Sequence, residues 1–177
     1  MQQLGWTVLR PLEERDLDKI AGWDGDPELA HLMGGVPISS EESCTRYLKM
    51  LNDQNSLVMA IVDCSGRLIG DIELTEIAWR SGDAELSIKI GDPAYRDRGI
   101  GACAVREMLS IAFEGLGLKR VYLRVCSDNP RAVRCYKKCG FRREGVVRRR
   151  LGPDDQIRVV TLMTILRSDF MRFEAVS

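Results

Sequence analysis

Arg96-Asp97-Arg98-Gly99-Ile100-Gly101-Ala102 sets two glycines one residue apart, just ahead of a helical pattern. Glycine lets a backbone pass close to a ligand because no Cβ stands in the way. Free amides and the positive dipole end of a following helix suit a pyrophosphate, and Arg96 and Arg98 add charge. The segment therefore predicts a phosphate cradle. Gly99-x-Gly101-x-x-Ala104 also matches a dinucleotide fingerprint, but that site wants an acid about 20 residues on for the ribose. Lys119-Arg120-Val121-Tyr122-Leu123-Arg124 supplies none, and the loop lies past mid-chain. The dinucleotide reading is set aside.

Other chemistry is limited by residue type. His31 is the single histidine, and it sits in Asp26-Pro27-Glu28-Leu29-Ala30-His31-Leu32-Met33, which reads as a short amphipathic helix. A histidine-activated nucleophile is therefore not expected, and proton transfer falls to carboxylates, tyrosine, cysteine or lysine. Six cysteines (44, 64, 103, 126, 135 and 139) form no C-x-x-C pair, and Cys135 and Cys139 lack further clustered ligands. No metal site is expected, and the cysteines read as reduced thiols, most of them buried, in a cytoplasmic protein. Arg148-Arg149-Arg150 reads as a solvated charge run, and Trp6, Trp23 and Trp79 are too dispersed for a base-stacking platform. Direct nucleic-acid binding is not expected.

These groups must be held by a small fold. The chain has 177 residues, 45% apolar and 29% charged, which predicts a single domain over 1–177 with a proper core. Its longest apolar run, 57–62, is six residues, against the about 20 that a membrane helix needs. The start lacks a basic stretch followed by an apolar one, so no leader is expected. The net charge of zero is a sum of unlike halves: residues 1–90 hold 8 basic and 16 acidic groups, residues 91–177 hold 18 and 10.

Periodicity and capping residues predict strands over 6–10, 56–63, 67–77, 84–90, 121–126, 141–147 and 158–166. Helices are predicted over 13–23, 27–33, 40–52, 98–116 and 129–139, the last with Asn129 as cap and Pro130 at its first position. A strand, helices, a three-strand meander and then strand–helix alternation make a mixed α/β sheet in one layered domain.

A second motif stands beyond the cradle. Asn129-Pro130-Arg131-Ala132-Val133-Arg134-Cys135-Tyr136-Lys137-Lys138-Cys139-Gly140-Phe141 fits N-x-x-A-x-x-x-Y-x-K-x-G-F. With R-x-x-G-x-G/A at Arg96, it resembles the GNAT N-acetyltransferase superfamily over residues 84–141. Leu9-Arg10-Pro11-Leu12 and Leu162-Met163-Thr164-Ile165-Leu166-Arg167 look like its RimJ/RimL-like branch, which acetylates ribosomal-protein N-termini.

The resemblance implies a six- to seven-stranded mixed sheet, helices on both faces, and a splay between the fourth and fifth strands. It implies acetyl-CoA as co-substrate, with the pantetheine arm against the strand at Ile88, Lys89 and Ile90. The pyrophosphate would lie on the amides of Arg96, Asp97, Arg98, Gly99, Ile100, Gly101 and Ala102, with Asn129 and Ala132 on the CoA side. Tyr136 matches the proton donor to the leaving thiolate. Glu85, eleven residues before Arg96, matches the general base, with Asp71, Glu73 and Asp83 as other carboxylates nearby. Asp97 stands where a glycine or basic residue is common, so its side chain must point outward.

The implied acceptor is a cationic amine: a protein N-terminal α-amine, or alternatively an aminoglycoside or polyamine. A non-catalytic acyl-CoA-binding regulatory module is the competing reading, and homodimers are common in the superfamily. The basic half of the chain is expected to meet CoA and the acidic half the amine.

Overall fold

A computed structural model describes residues 8–151 and 156–175. Its centre is one seven-stranded sheet in the order β1-β2-β3-β4-β5-β7-β6. The strands are β1 (Val8–Pro11), β2 (Leu57–Val62), β3 (Leu68–Ala78), β4 (Asp83–Ile90), β5 (Arg120–Cys126), β6 (Arg142–Leu151) and β7 (Gln156–Leu166). Residues 6 and 7 of the expected first strand lie outside the described residues.

Register decides what each face buries, because successive side chains point to opposite sides. Ile72 faces Ile88 and Leu74 faces Leu86 across β3 and β4, all on one side. Helix α4 (Ile100–Ser110) lies on that side and buries Val105, Met108 and Leu109, each worth about 1.5–3 kcal/mol. A π-helical turn, Ile111–Gly115, extends α4, and α6 (Arg167–Glu174), which the sequence reading did not anticipate, brings Phe170 to within 5.4 Å of the Phe113 ring.

The opposite face carries α1 (Leu17–Asp24) and α3 (Ser40–Leu51) over a second cluster containing Leu17, Ile20, Tyr47 and Val58. The expected start of α3 is a capping box: Ser39 Oγ accepts from the Glu42 amide at 3.2 Å, and Glu42 accepts from the Ser39 amide at 2.9 Å. Short α2 (Pro27–Leu32) opens on a simpler one-way cap, Asp26 accepting from the Leu29 amide. The last helix, α5 (Pro130–Lys138), packs on α4.

Strands β4 and β5 are the parallel neighbours, and they stay together for only three pairs: Asp83 with Arg120, Ala84 with Val121, and Glu85 with Tyr122. Beyond Glu85 they part, while β5 remains paired with β7 through Cys126. The splay expected between the fourth and fifth strands is therefore present, in a sheet of seven. All six cysteines are free; only Cys126 and Cys139 are buried, fewer than expected.

Candidate active site

Gly99 caps α4 in the left-handed conformation, at φ 79°, and offers no side chain. The first bond back to it is the Cys103 amide, 3.1 Å from the Gly99 carbonyl oxygen. The amides of Ile100, Gly101 and Ala102 thus have no intrahelical partner, which is what an anion needs. They line a cleft of about 310 Å³ together with Ile88 and Ile90 of β4. A Cβ added at Gly101 would meet only Cys135 Sγ, at 3.7 Å.

The two cradle arginines do not offer free charge to this cleft as expected, although Arg96 lines it. Arg96 turns its guanidinium back onto the carbonyl oxygens of Ile90 (3.1 Å) and Gly91 (3.2 Å), pinning the end of β4. Arg98 is exposed and does not line the cleft. Asp97 is exposed and pairs with Arg131 at 2.8 Å, and both residues line the cleft. Positive charge at the cleft comes instead from Arg131, Arg134 and Lys138 of α5. Their spacing of three and four puts them on one helical face, a signal readable in the sequence but not used.

Asn129 caps α5 by accepting from the Ala132 amide at 3.2 Å, and its own amide nitrogen donates to the Leu32 carbonyl at 3.3 Å. The end of α2 is thereby tied to the start of α5. About two turns on, Tyr136 is buried against Phe141, ring edge to ring face at 5.8 Å. Its Oη has no hydrogen-bond partner among the described residues, and burial pushes the phenol above its ordinary value.

A second cleft of about 240 Å³ opens on the far side of the splay, with Glu85, Ser87, Arg124 and Arg149 in its wall. Leu32, Met33, Ile88, Asn129, Ala132 and Tyr136 line both clefts, so the two meet at Tyr136. Glu85 is not free. Arg124 donates to it from Nε at 2.7 Å and again from Nη2. The sequence reading missed this partner, although Asp83 and Glu85 alternate on β4 as Arg120, Tyr122 and Arg124 do on β5.

The other carboxylates considered lie elsewhere. Asp71 and Glu73 are buried under α3, and Asp83 accepts from Arg120 Nε at 2.6 Å; none of the three lines either cleft. Lys89 turns its ammonium away from the cradle face, onto Asp24, onto Tyr47 Oη at 3.0 Å, and to within 3.4 Å of Asp71 Oδ1. Arg46 donates to both oxygens of Glu73 at 2.7 and 2.8 Å. Burial pushes the carboxyls of Asp71 and Glu73 up, and although burial alone would lower Lys89, Asp71 and Asp24 raise it. Three of the acidic half's carboxylates, Asp24, Asp71 and Glu73, are thus spent on internal cations rather than facing a cleft, and among the described residues Glu85 is the one carboxylate that lines the second cleft.

The profile of the acetyltransferase (GNAT) domain matches residues 7–142. The chain belongs to the GNAT family. As a GNAT protein it is an acetyl-CoA-dependent N-acetyltransferase with the GNAT fold. This GNAT chain is 30% identical to the spermidine N(1)-acetyltransferase of Vibrio cholerae over 165 residues, 93% of this chain and 95% of that one. It is 29% identical to an L-amino acid N-acetyltransferase of Escherichia coli, over 78% of this chain and 84% of that one. The crystal structure of the Vibrio cholerae spermidine N-acetyltransferase with CoA and spermine superposes with a TM-score of 0.86 at 30% identity, covering 93% of this chain and 98% of that one.

Proposed function

We propose that residues 1–177 act as one GNAT domain in the cytoplasm, passing acetyl from the CoA thioester directly to a primary α-amine. CoA lies in the first cleft and the amine enters by the second. The observation that carries this reading is the Tyr136 hydroxyl, unbonded where the two clefts meet.

Each role follows from the local chemistry. The free amides of Ile100, Gly101 and Ala102 take the pyrophosphate, and the α5 cations add charge beside it. The edge of β4 released by the splay at Ile88, Lys89 and Ile90 offers backbone groups to the pantetheine arm. A strand amide there meets the oxyanion that develops on the thioester carbonyl. Tyr136, held protonated at neutral pH by burial, meets charge on the leaving sulfur. Its hydrogen bond is the larger part of that help, because a phenol so weakened as an acid gives up its proton uphill to a thiolate whose parent thiol has a pKa of about 8.5.

The state of Glu85 bears on the acceptor. A carboxylate holding a guanidinium on both oxygens must release it before it can take a proton. The α-amine of a peptide, at a pKa of about 7.7–8.0, is partly free base at neutral pH and asks little of Glu85. An alkyl amine near 10.4 is almost wholly protonated and asks far more. Similarity to the L-amino acid N-acetyltransferase supports the α-amine. A polyamine is the second reading, favoured by the 30% identity to the spermidine enzyme across nearly the whole chain.

The test is thiol release from acetyl-CoA over α-amino compounds, N-terminal peptides, spermidine and aminoglycosides. Turnover is expected with α-amines, and Tyr136→Phe is expected to lower kcat about 100-fold with the Kd of acetyl-CoA within twofold of wild type. Release with no amine in the panel would leave a binding module and end the enzymatic reading.

A further inference from the structure

We infer that the acceptor carries a carboxylate as well as its amine, and that Arg149 receives it; this rests on the acceptor entering by the second cleft. Arg149 projects from β6 into that cleft near the open end of the splay. It has no hydrogen bond or ion pair among the described residues. Its register partner on β7 shows what commitment looks like: Arg158 binds both oxygens of Asp128 at 2.9 Å and the His31 carbonyl oxygen at 2.9 Å.

Among the described residues, the charges lining the cleft are one carboxylate and two guanidiniums, and the carboxylate is already matched by Arg124. What remains toward an incoming molecule is the positive charge of Arg149. A polycation brings several ammonium groups to that surface and finds no free carboxylate among the described residues that line it, while Arg149 repels it. An acceptor with an amine and a carboxylate fits both ends: its amine goes toward Tyr136 and its anion to a planar guanidinium that can bind it with two parallel hydrogen bonds. The carboxylate has two sources. It is the α-carboxylate of a free amino acid, or an acidic side chain at the second position of a peptide.

Kinetics on the full-length protein with saturating acetyl-CoA distinguish these. Free L-amino acids are compared with their carboxamides, and peptides with Asp second are compared with the same peptides bearing Asn. For wild type, losing the carboxylate is expected to raise KM at least tenfold in one of the two series, and that series identifies the source. In Arg149→Gln the KM of the acid rises to that of its neutral partner, the partner is unchanged, and the Kd of acetyl-CoA does not move. Equal KM values for acid and neutral partner in both series overturn the inference, as does an Arg149→Gln effect of the same size on both members of a pair. Efficient turnover of spermidine with none of the carboxylate-bearing amines overturns it too, but leaves acetyl transfer standing. Thiol release with no amine removes both.

Discussion

The Asp97 carboxylate stands 2.8 Å from the Arg131 guanidinium, joining the loop before α4 to the first turn of α5 at the first cleft. Both groups are well exposed, at 69% and 48% of their side-chain surface, so the pair is worth at most about 1 kcal/mol. That is enough to matter for a ligand whose phosphates want the same guanidinium.

Asp97→Asn frees Arg131 and is expected to tighten acetyl-CoA binding two- to fivefold at low ionic strength. At 0.5 M salt the gain disappears, because exposed charges are screened. Calorimetric titration at two salt concentrations reads this directly. Unchanged or weaker binding at low salt would show that Asp97 does not compete with the ligand.

Gly101→Asp separates ligand binding from folding. The new Cβ has only an ordinary contact with Cys135, and an acid in the first turn suits the dipole of α4. The unliganded variant is expected to melt within a few degrees of wild type, yet to show no thermal shift with millimolar acetyl-CoA. A wild-type shift would remove the amides of α4 from the pyrophosphate site.

Lys89→Met tests the buried network behind the site. It strands Asp24 and Asp71 together, and breaking a buried pair on one side costs about 3–5 kcal/mol. Lys89→Met with Asp71→Leu is expected to lose less than the sum of the two single changes, because they share one contact. Urea unfolding gives all three values; strict additivity would mean that the two groups do not interact.

Acid stability has a residue-level source in Asp63. The Tyr95 hydroxyl donates to it at 2.6 Å, Ser65 Oγ at 2.7 Å, and the amides of Ser65 and Arg67 at 2.9 and 3.0 Å. The Tyr95 bond, with those from Ser65 and Arg67, holds the carboxyl far below its ordinary value. A lowered carboxyl stabilises the fold above its unfolded pKa of about 3.9, and that contribution is lost as the pH falls further. The difference in Tm between wild type and Asp63→Asn is therefore expected to be constant above about pH 5 and to shrink below pH 4. A gap that widened on acidification would reverse the assignment.

What could be read without coordinates divides along physical lines. Strand and helix positions were readable wherever periodicity and caps coincide, as at Ser39 with Glu42 and at Asn129 with Pro130. The turn at Gly99 that opens α4 was readable because glycines mark backbone geometry locally. Side-chain partnerships across the sheet were not. That Arg96 caps β4, that Arg124 occupies Glu85, and that Lys89 consumes two carboxylates all depend on register between distant strands and helices. The same cause undid the simple division of charge: an acidic half of the chain does not make an acidic cleft once its carboxylates have found internal cations. Helix α6 escaped because its eight residues, Arg167–Glu174, follow β7 without a break or a recognisable cap.

The three-residue junction of β4 and β5 has a consequence for the sheet as a material. Strands β1 to β4 come from the acidic half of the chain and β5 to β7 from the basic half. The sheet is thus two plates of opposite charge, sewn by three backbone pairs and riveted by Asp83 to Arg120 and Glu85 to Arg124. Where amide stitching is thinnest, ionic attraction takes over, and dissolved salt acts on the joint rather than on either plate. The place where the two plates part and the place where ion pairs bridge them are one and the same seam.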